Sequence, residues 1–326
     1  MKELIIHVGY SKCASSTLQN FLSLNFSDET SEYEYCAINK NGNILNGSAL
    51  KTAAINSPYK YCNSTVDFNN ISSLKRAFEL LNNKMKNKTV IISNEGLVNK
   101  NIITQDLINL LNSLRVPIKI FVLIRPPADW FNASWWQWGC WTELSLNEYF
   151  QKNKDINMLQ GILQWETVKT VKEIKVADIS QNPVESFLQF IGVRKEHLVE
   201  NQINTSSSAD LIKFLLKNKH RYNRTEHNPT IEFILNSLLE GNYTKPPFIA
   251  NANMASEIIC SSIDDNKKLL KMTDWNKNNI SESNYKKYID ANEYDSNIFN
   301  YDEFINSNYS NDFLVDVVNV LISKYR

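Results

Sequence analysis

Leu4-Ile5-Ile6-His7-Val8-Gly9-Tyr10-Ser11-Lys12-Cys13-Ala14-Ser15-Ser16-Thr17-Leu18-Gln19 stands near the start of a 326-residue chain. The pattern of this stretch decides the fold class. The apolar run Leu4-Ile5-Ile6, ending at Val8, reads as a buried strand. Leu18, Phe21 and Leu22 recur at the spacing of one helix face. Between the two lies a tight loop with one lysine and a run of small hydroxyl residues. A helix starting there presents unpaired N–H groups and the positive end of its dipole. The order is strand, anion-holding loop, helix, and the loop reads as a phosphate cradle.

Outward from that stretch the alternation repeats. The first strand covers residues 3–9, and its helix runs to Leu24. Residues 26–70 are polar and mixed, with Gly42, Gly47 and Pro58 as breakers; they read as a long connection with short elements, a candidate substrate wall. Leu74, Ala77, Phe78 and Leu81 predict a helix over 71–85. Thr89-Val90-Ile91-Ile92-Ser93 is a continuous β-branched run of the kind a parallel sheet buries on both faces. Leu107, Leu110, Leu111 and Leu114 predict the next helix, and Ile118–Ile124 the next strand, which runs into Arg125-Pro126-Pro127. The prolines suit the first turn of a helix carrying Trp130, Ser134 and Trp138. Interrupted helix is expected through 145–171, then a strand at 174–177. Asn182-Pro183 opens a helix with Val184, Phe187, Leu188 and Ile191. Beyond 205 only helical segments are expected, at 208–219, 229–240, 253–271 and 310–325. The fold class is α/β: a P-loop-type parallel sheet flanked by helices, with a mainly helical C-terminal part. One domain spanning 1–326 is expected, with its core at 1–200 and the helical part at 205–326.

Composition narrows the function classes. Lysine plus arginine equals aspartate plus glutamate at 35 each, so net charge is zero. No overall basic field points to nucleic acid or an anionic membrane, and any anion site must be local. No segment approaches the ~20 apolar residues of a membrane span. Glu3 interrupts the basic start, so residues 1–20 do not read as a signal peptide. The five cysteines, at 13, 36, 62, 140 and 260, form no C-x-x-C pair. They read as reduced thiols of a cytoplasmic protein. The four histidines lack metal-ligand spacing, and no metal is expected.

The loop is not a Walker A motif, which places glycine directly before Lys-Ser/Thr; here Lys12 follows Ser11 and precedes Cys13-Ala14. Gly9-Tyr10-Ser11-Lys12-Cys13-Ala14-Ser15-Ser16-Thr17-Leu18-Gln19 resembles the first motif of the sulfotransferases that use 3′-phosphoadenosine 5′-phosphosulfate. It departs from that motif at Cys13-Ala14, where Thr-Gly is usual, and a position 14 with φ > 0 would strain alanine. Arg125-Pro126-Pro127, with Asp129-Trp130 and Ser134, resembles the family's second motif, an arginine at a strand end followed by a serine on the next helix. A weaker likeness follows in Trp165, Val176, Asp178, Asn182-Pro183, Phe187-Leu188 and Ile191-Gly192. Together the resemblance spans residues 4–193 with gaps.

The resemblance implies roles. Lys12 meets the 5′-phosphate and the bridging oxygen. The loop Ser11, Lys12, Cys13, Ala14, Ser15, Ser16 and Thr17 cradles the 5′-phosphate. Arg125 and Ser134 hold the 3′-phosphate, the arginine by a forked contact. The reaction implied is sulfuryl transfer to a hydroxyl acceptor with release of 3′-phosphoadenosine 5′-phosphate. The acceptor it suggests is a glycan or glycan precursor of polysaccharide biosynthesis.

Glu95, in Ser93-Asn94-Glu95-Gly96 after a strand, is the candidate general base, at the edge where ligands bind in open α/β sheets. Residues 8–196 contain no histidine, and His7 is a lesser alternative. Glu95 also fits a solvated loop acid or a partner for Lys12. Cys13 fits a small filler as well as a thiol activated at a helix start. Five tryptophans between 130 and 141 fit sugar stacking, a helix–sheet core or a subunit contact alike. Two other functions stay open: a P-loop kinase or nucleoside-triphosphate enzyme, which would be metal-dependent, and a nucleotide-binding protein without catalysis. Oligomeric state is not legible.

Overall fold

In the computed structural model the apolar runs of the sequence pair side by side. The described residues are 2–27, 31–99, 102–196, 198–199, 207–239, 244–273, 281–294 and 299–323. Strand β1 is Leu4–Val8, followed by helix α1 at Ser15–Asn25 and strand β2 at Tyr33–Tyr35. A hairpin of β3 (Ala37–Ile38) and β4 (Ile44–Leu45) leads into α2 (Gly47–Asn56) and α3 (Ile71–Lys84). Then come β5 (Thr89–Asn94), α4 (Gln105–Ser113), β6 (Ile118–Ile124), α5 (Pro127–Gln137), α6 (Leu146–Asn153), α7 (Met158–Leu163), β7 (Val171–Asp178) and α8 (Pro183–Ile191).

Five strands form one sheet in the order β2-β5-β1-β6-β7, all parallel. β1 is central: Ile6 registers with Ile92 on one side and Ile120 on the other. Every residue of β1 and β5 is buried, as continuous apolar strands require when helices cover both faces. Helix α1 packs with α8, and α3 with α4. The connection after β1 runs toward β2 and the one after β6 runs toward β7, so the chain diverges at the C-terminal ends of these two neighbours. Ligands of open parallel sheets sit at such a crevice. Trp165 is fully buried, and its indole N–H donates to the Leu97 carbonyl at 3.2 Å.

The α/β class with a helix-flanked parallel sheet is as expected, and three details differ. β2 lies inside the polar 26–70 connection. It is three residues long with Glu34 at its centre, so no apolar run announced it. Glu34 is buried: desolvation pushes its carboxyl up, but hydrogen bonds from Lys84 and Asn46 and the charges of Lys84 and Lys88 outweigh this and hold it below the usual range. β7 starts three residues earlier than expected. The helix expected at 253–271 is two, α11 (Ala252–Cys260) and α12 (Ile263–Met272). Residues 240 and 324–325, within the expected segments, lie outside the described residues.

The chain forms two compact units that interleave in sequence: Met1–Pro126, Asn157–Ile203 and Ser262–Ile289 in the first, and Pro127–Ile156, Asn204–Ser261 and Asp290–Arg326 in the second. The first unit holds the sheet with α12 and α13 (Glu282–Lys286). The second is helical, with α5, α6, α9 (Ala209–Lys217), α10 (Thr230–Leu238), α11, α14 (Tyr301–Asn306) and α15 (Asn311–Ser323). Its core contains Phe131, Trp135, Trp136, Trp141 and Tyr149. A buried Arg224–Glu232 pair at 2.8 Å is stacked on Trp141, with the guanidinium carbon 4.2 Å from the ring centre. No helix among the described residues is long and apolar enough to cross a membrane.

Because Ile6 touches strands on both sides at full burial, Ile6→Ala leaves a cavity in the sheet's centre. It is expected to lower stability by about 2–5 kcal/mol in denaturant unfolding.

Candidate active site at the strand-end loops

β1 delivers the chain to the C-terminal edge at Gly9, whose N–H donates to the Asn94 carbonyl of β5 at 3.4 Å. A Cβ on Gly9 would stand 2.4 Å from Ser15 Oγ, 3.1 Å from His7 Cε1 and 3.4 Å from Glu95 Cγ. Only glycine lets the loop fold back this closely. The Tyr10 hydroxyl donates to the Met158 carbonyl of α7. It passes Gly161, where a Cβ would come within 2.4 Å of that hydroxyl. The Cys13 N–H (3.2 Å) and Ser15 hydroxyl (3.3 Å) both return to the Tyr10 carbonyl. The loop is thus closed on itself and tied to the sheet and α7.

Two of its residues take the left-handed conformation: Lys12 at φ 63° and Ala14 at φ 59°. Ala14 is also the N-cap of α1 and offers no side-chain acceptor; its carbonyl takes the amides of Thr17 and Leu18 at 3.1 and 3.3 Å. The amides of the turn before them precede any intrahelical acceptor and are donors for an anion. Ser15 is buried, and Ser16 and Thr17 are half-buried. Cys13 is fully buried, and desolvation drives its thiol well above the ordinary range. It is a filler under the loop rather than an activated thiol.

Cys13 also marks where charges converge. Arg125, Asp178, Glu95 and Lys12 all act electrostatically on its sulfur. Lys12 comes from the loop after β1, Glu95 from the end of β5 and Arg125 from the end of β6. Three adjacent parallel strands thus each carry one charged residue at the same sheet edge. Burial pushes the Glu95 carboxyl above its ordinary range, and the Lys12 ammonium pulls it only partly back. Asp178, at the end of β7, is fully buried and accepts from the Ser180 N–H and Asn284 Nδ2, both at 2.7 Å, and from the Tyr288 hydroxyl. It fastens residues 281–289 to this sheet edge.

Beneath the loop lies a buried polar chain. His7 Nδ1 is 2.8 Å from Ser93 Oγ, which also accepts from Gln19 Nε2 at 3.0 Å. Burial depresses the His7 imidazole to about 3. His7 is therefore neutral and enclosed, held under the loop rather than exposed to an acceptor.

Ser134 falls in the helical unit, fully buried, with its hydroxyl donating to the Phe131 carbonyl at 2.8 Å. Trp135, Trp136 and Trp141 are core of that unit, while Trp130 and Trp138 are half-buried with ring centres 6.2 Å apart. Two groups were missed in the sequence. Tyr61, from the polar connection, accepts from Ser16 Oγ at 3.2 Å. Asn284 and Tyr288 reach Asp178 from more than a hundred residues away. Neither has a local sequence signal, since both depend on chain folding back. Among the described residues no group of three or more His, Cys, Asp or Glu side chains is placed to hold a metal.

Compared with known proteins, the chain matches no family model and no curated sequence.

The left-handed Ala14 is strained by roughly 1–2 kcal/mol, and glycine's extra unfolded-state freedom offsets part of the relief. Ala14→Gly is expected to raise stability by about 0.5–1 kcal/mol, read from denaturant unfolding.

Proposed function

We propose that the protein is a sulfotransferase that moves the sulfuryl group of 3′-phosphoadenosine 5′-phosphosulfate to a hydroxyl acceptor. The observation that carries this is the placing of Lys12, Glu95 and Arg125 just past the C-terminal ends of three neighbouring parallel strands, with the charge of each felt at Cys13. Two cations on separate strands suit a ligand with phosphates at two ends, and a carboxylate made more basic by burial suits a base for a neutral hydroxyl. The donor nucleotide supplies the sulfuryl group, already activated by its anhydride bond to the 5′-phosphate.

The chain's residues divide the remaining work. First-turn amides of α1 with the Ser15, Ser16 and Thr17 hydroxyls hold the 5′-phosphate. Lys12 stabilises charge gathering on the bridging oxygen, a positioned electrostatic contribution of the kind that dominates such transfers. Arg125 holds the 3′-phosphate. Glu95 takes the acceptor's proton as the acceptor oxygen bonds to sulfur, while the electron pair of the breaking S–O bond leaves on the 5′-phosphate. The buried tryptophans do not argue for a sugar, and the acceptor is assigned only as a hydroxyl compound in a cytoplasmic setting.

In thermal-shift measurements 3′-phosphoadenosine 5′-phosphate should raise the unfolding midpoint more than ADP, and Arg125→Ala should erase that preference. Equal or larger shifts with ADP or ATP in the wild type would sink the assignment in favour of a nucleoside-triphosphate enzyme.

Glu95 makes a second, independent prediction. Its folded-state pKa lies above the unfolded value, so the native state holds the proton more tightly, and stability falls as pH rises through the interval between the two. Glu95→Gln removes that penalty. The variant should be more stable than wild type at neutral and alkaline pH, with the difference fading as pH drops into the ordinary carboxylate range, and it should lose sulfuryl transfer.

A further inference from the structure

The polar segment between α2 and α3 is strapped along the first helix. Asn20 Nδ2 donates to the Lys60 carbonyl. The Cys62 N–H donates to Ser23 Oγ at 3.2 Å, and Tyr35 from the sheet donates its hydroxyl to the Cys62 carbonyl at 2.7 Å. Asn94, at the end of β5, donates to the Ser64 carbonyl at 2.8 Å. Lys60 is held in the left-handed conformation, φ 59°. Such strain persists only where surrounding contacts over-determine it. These ties fix the backbone on both sides of Tyr61, and the Tyr59 ring braces it with centres 6.0 Å apart.

Tyr61 is delivered to a particular place. Ser16, a hydroxyl of the loop's first helical turn, donates to the phenol oxygen. Glu95's negative charge acts on the same phenol. Tyr61 therefore touches a group assigned to the 5′-phosphate and feels the charge of the group assigned to the acceptor proton, the two groups that would flank a transferring sulfuryl. Because Ser16 is the donor of that bond, the phenol's own proton is left to donate, and it finds no acceptor among the described residues. Burial and the Glu95 charge push the phenol up to about 12, so the proton is retained at any working pH.

We propose that Tyr61 hydrogen-bonds the sulfuryl oxygens of the bound donor nucleotide, making it a site residue for the transferring group. This rests on the sulfuryl-transfer reading above. A neutral donor fits the requirement: it stabilises charge on the sulfuryl group without adding a cation that would neutralise Glu95. It also discriminates, since the product nucleotide, which lacks the sulfuryl group, cannot accept this bond.

The test is calorimetric binding of two nucleotides to wild type and Tyr61→Phe, with unfolding midpoints measured in parallel. Tyr61→Phe should lose about tenfold in affinity for 3′-phosphoadenosine 5′-phosphosulfate, the order expected for one hydrogen bond to a charged group. Its affinity for 3′-phosphoadenosine 5′-phosphate should stay within about twofold of wild type. Equal losses for both nucleotides would overturn the proposal by placing Tyr61's effect on the phosphate through Ser16, and no loss for either would overturn it outright. In both cases the cofactor assignment survives, because wild type still binds. Failure of the wild type to bind either nucleotide would instead remove the sulfuryl-transfer reading and this proposal together. Should Tyr61→Phe unfold, Tyr61→Trp, which keeps a ring against Tyr59 and an N–H donor, must retain the selectivity for the sulfated nucleotide; equal affinity for the two would overturn the proposal.

Discussion

β1 sits between β5 and β6, and its backbone pairs in register with both. Parallel pairing aligns the C-terminal ends of all three strands, so the loops that leave them must emerge together at one edge. That single constraint is why Gly9, Asn94 and Arg125 are neighbours although more than thirty residues separate the second from the third and over eighty the first from the second. It also sets the local demands. A loop leaving the central strand has strands on either side and must turn back at once, which Gly9 permits by having no Cβ to meet Ser15 and His7.

Two opposing effects then shape the site. Closure under the loop removes water, which raises Glu95, Cys13 and Tyr61 and leaves His7 neutral. The same closure concentrates Lys12, Arg125 and Glu95 in a region where charges act strongly on one another. Desolvation outweighs Lys12 at Glu95, so the carboxyl is held above its ordinary range, which costs stability and makes its carboxylate a stronger base. The loop's left-handed Lys12 and Ala14 add strain to the same place. Conformational strain and desolvation both gather where the chemistry is proposed, and the well-packed sheet beneath holds them.

Much of this was legible in the residues themselves. Continuous apolar runs at 4–8, 89–93 and 118–124 had no reading but buried parallel strands, and 3.6-residue spacing found α1, α3, α4 and α8. The loop's lysine and hydroxyls pointed to an anion, and the Ala14 irregularity was visible as a departure from glycine. β2 was not visible, because an edge strand of three residues with a central glutamate carries no hydrophobic signal. The tryptophans left sugar stacking, a core and a subunit contact open, since aromatic spacing on a helix looks the same in each case; burial places Trp135, Trp136 and Trp141 in the core. Ser134 matched a pattern, yet its hydroxyl is committed within its own helix.

By itself the sequence determined the strand–loop–helix order, the α/β class and which loops carry cations, because these depend on periodicity and on residue chemistry over a few neighbouring positions. Only the tertiary structure decided which side chains share a site. Tyr61 reaches Ser16, and Tyr288 reaches Asp178, through folding that brings distant segments together, and no local pattern encodes that meeting. Protonation belongs to the same class: whether Glu95 is an ordinary acid or a desolvated one depends on what covers it, and the cover is built by residues far away in the chain.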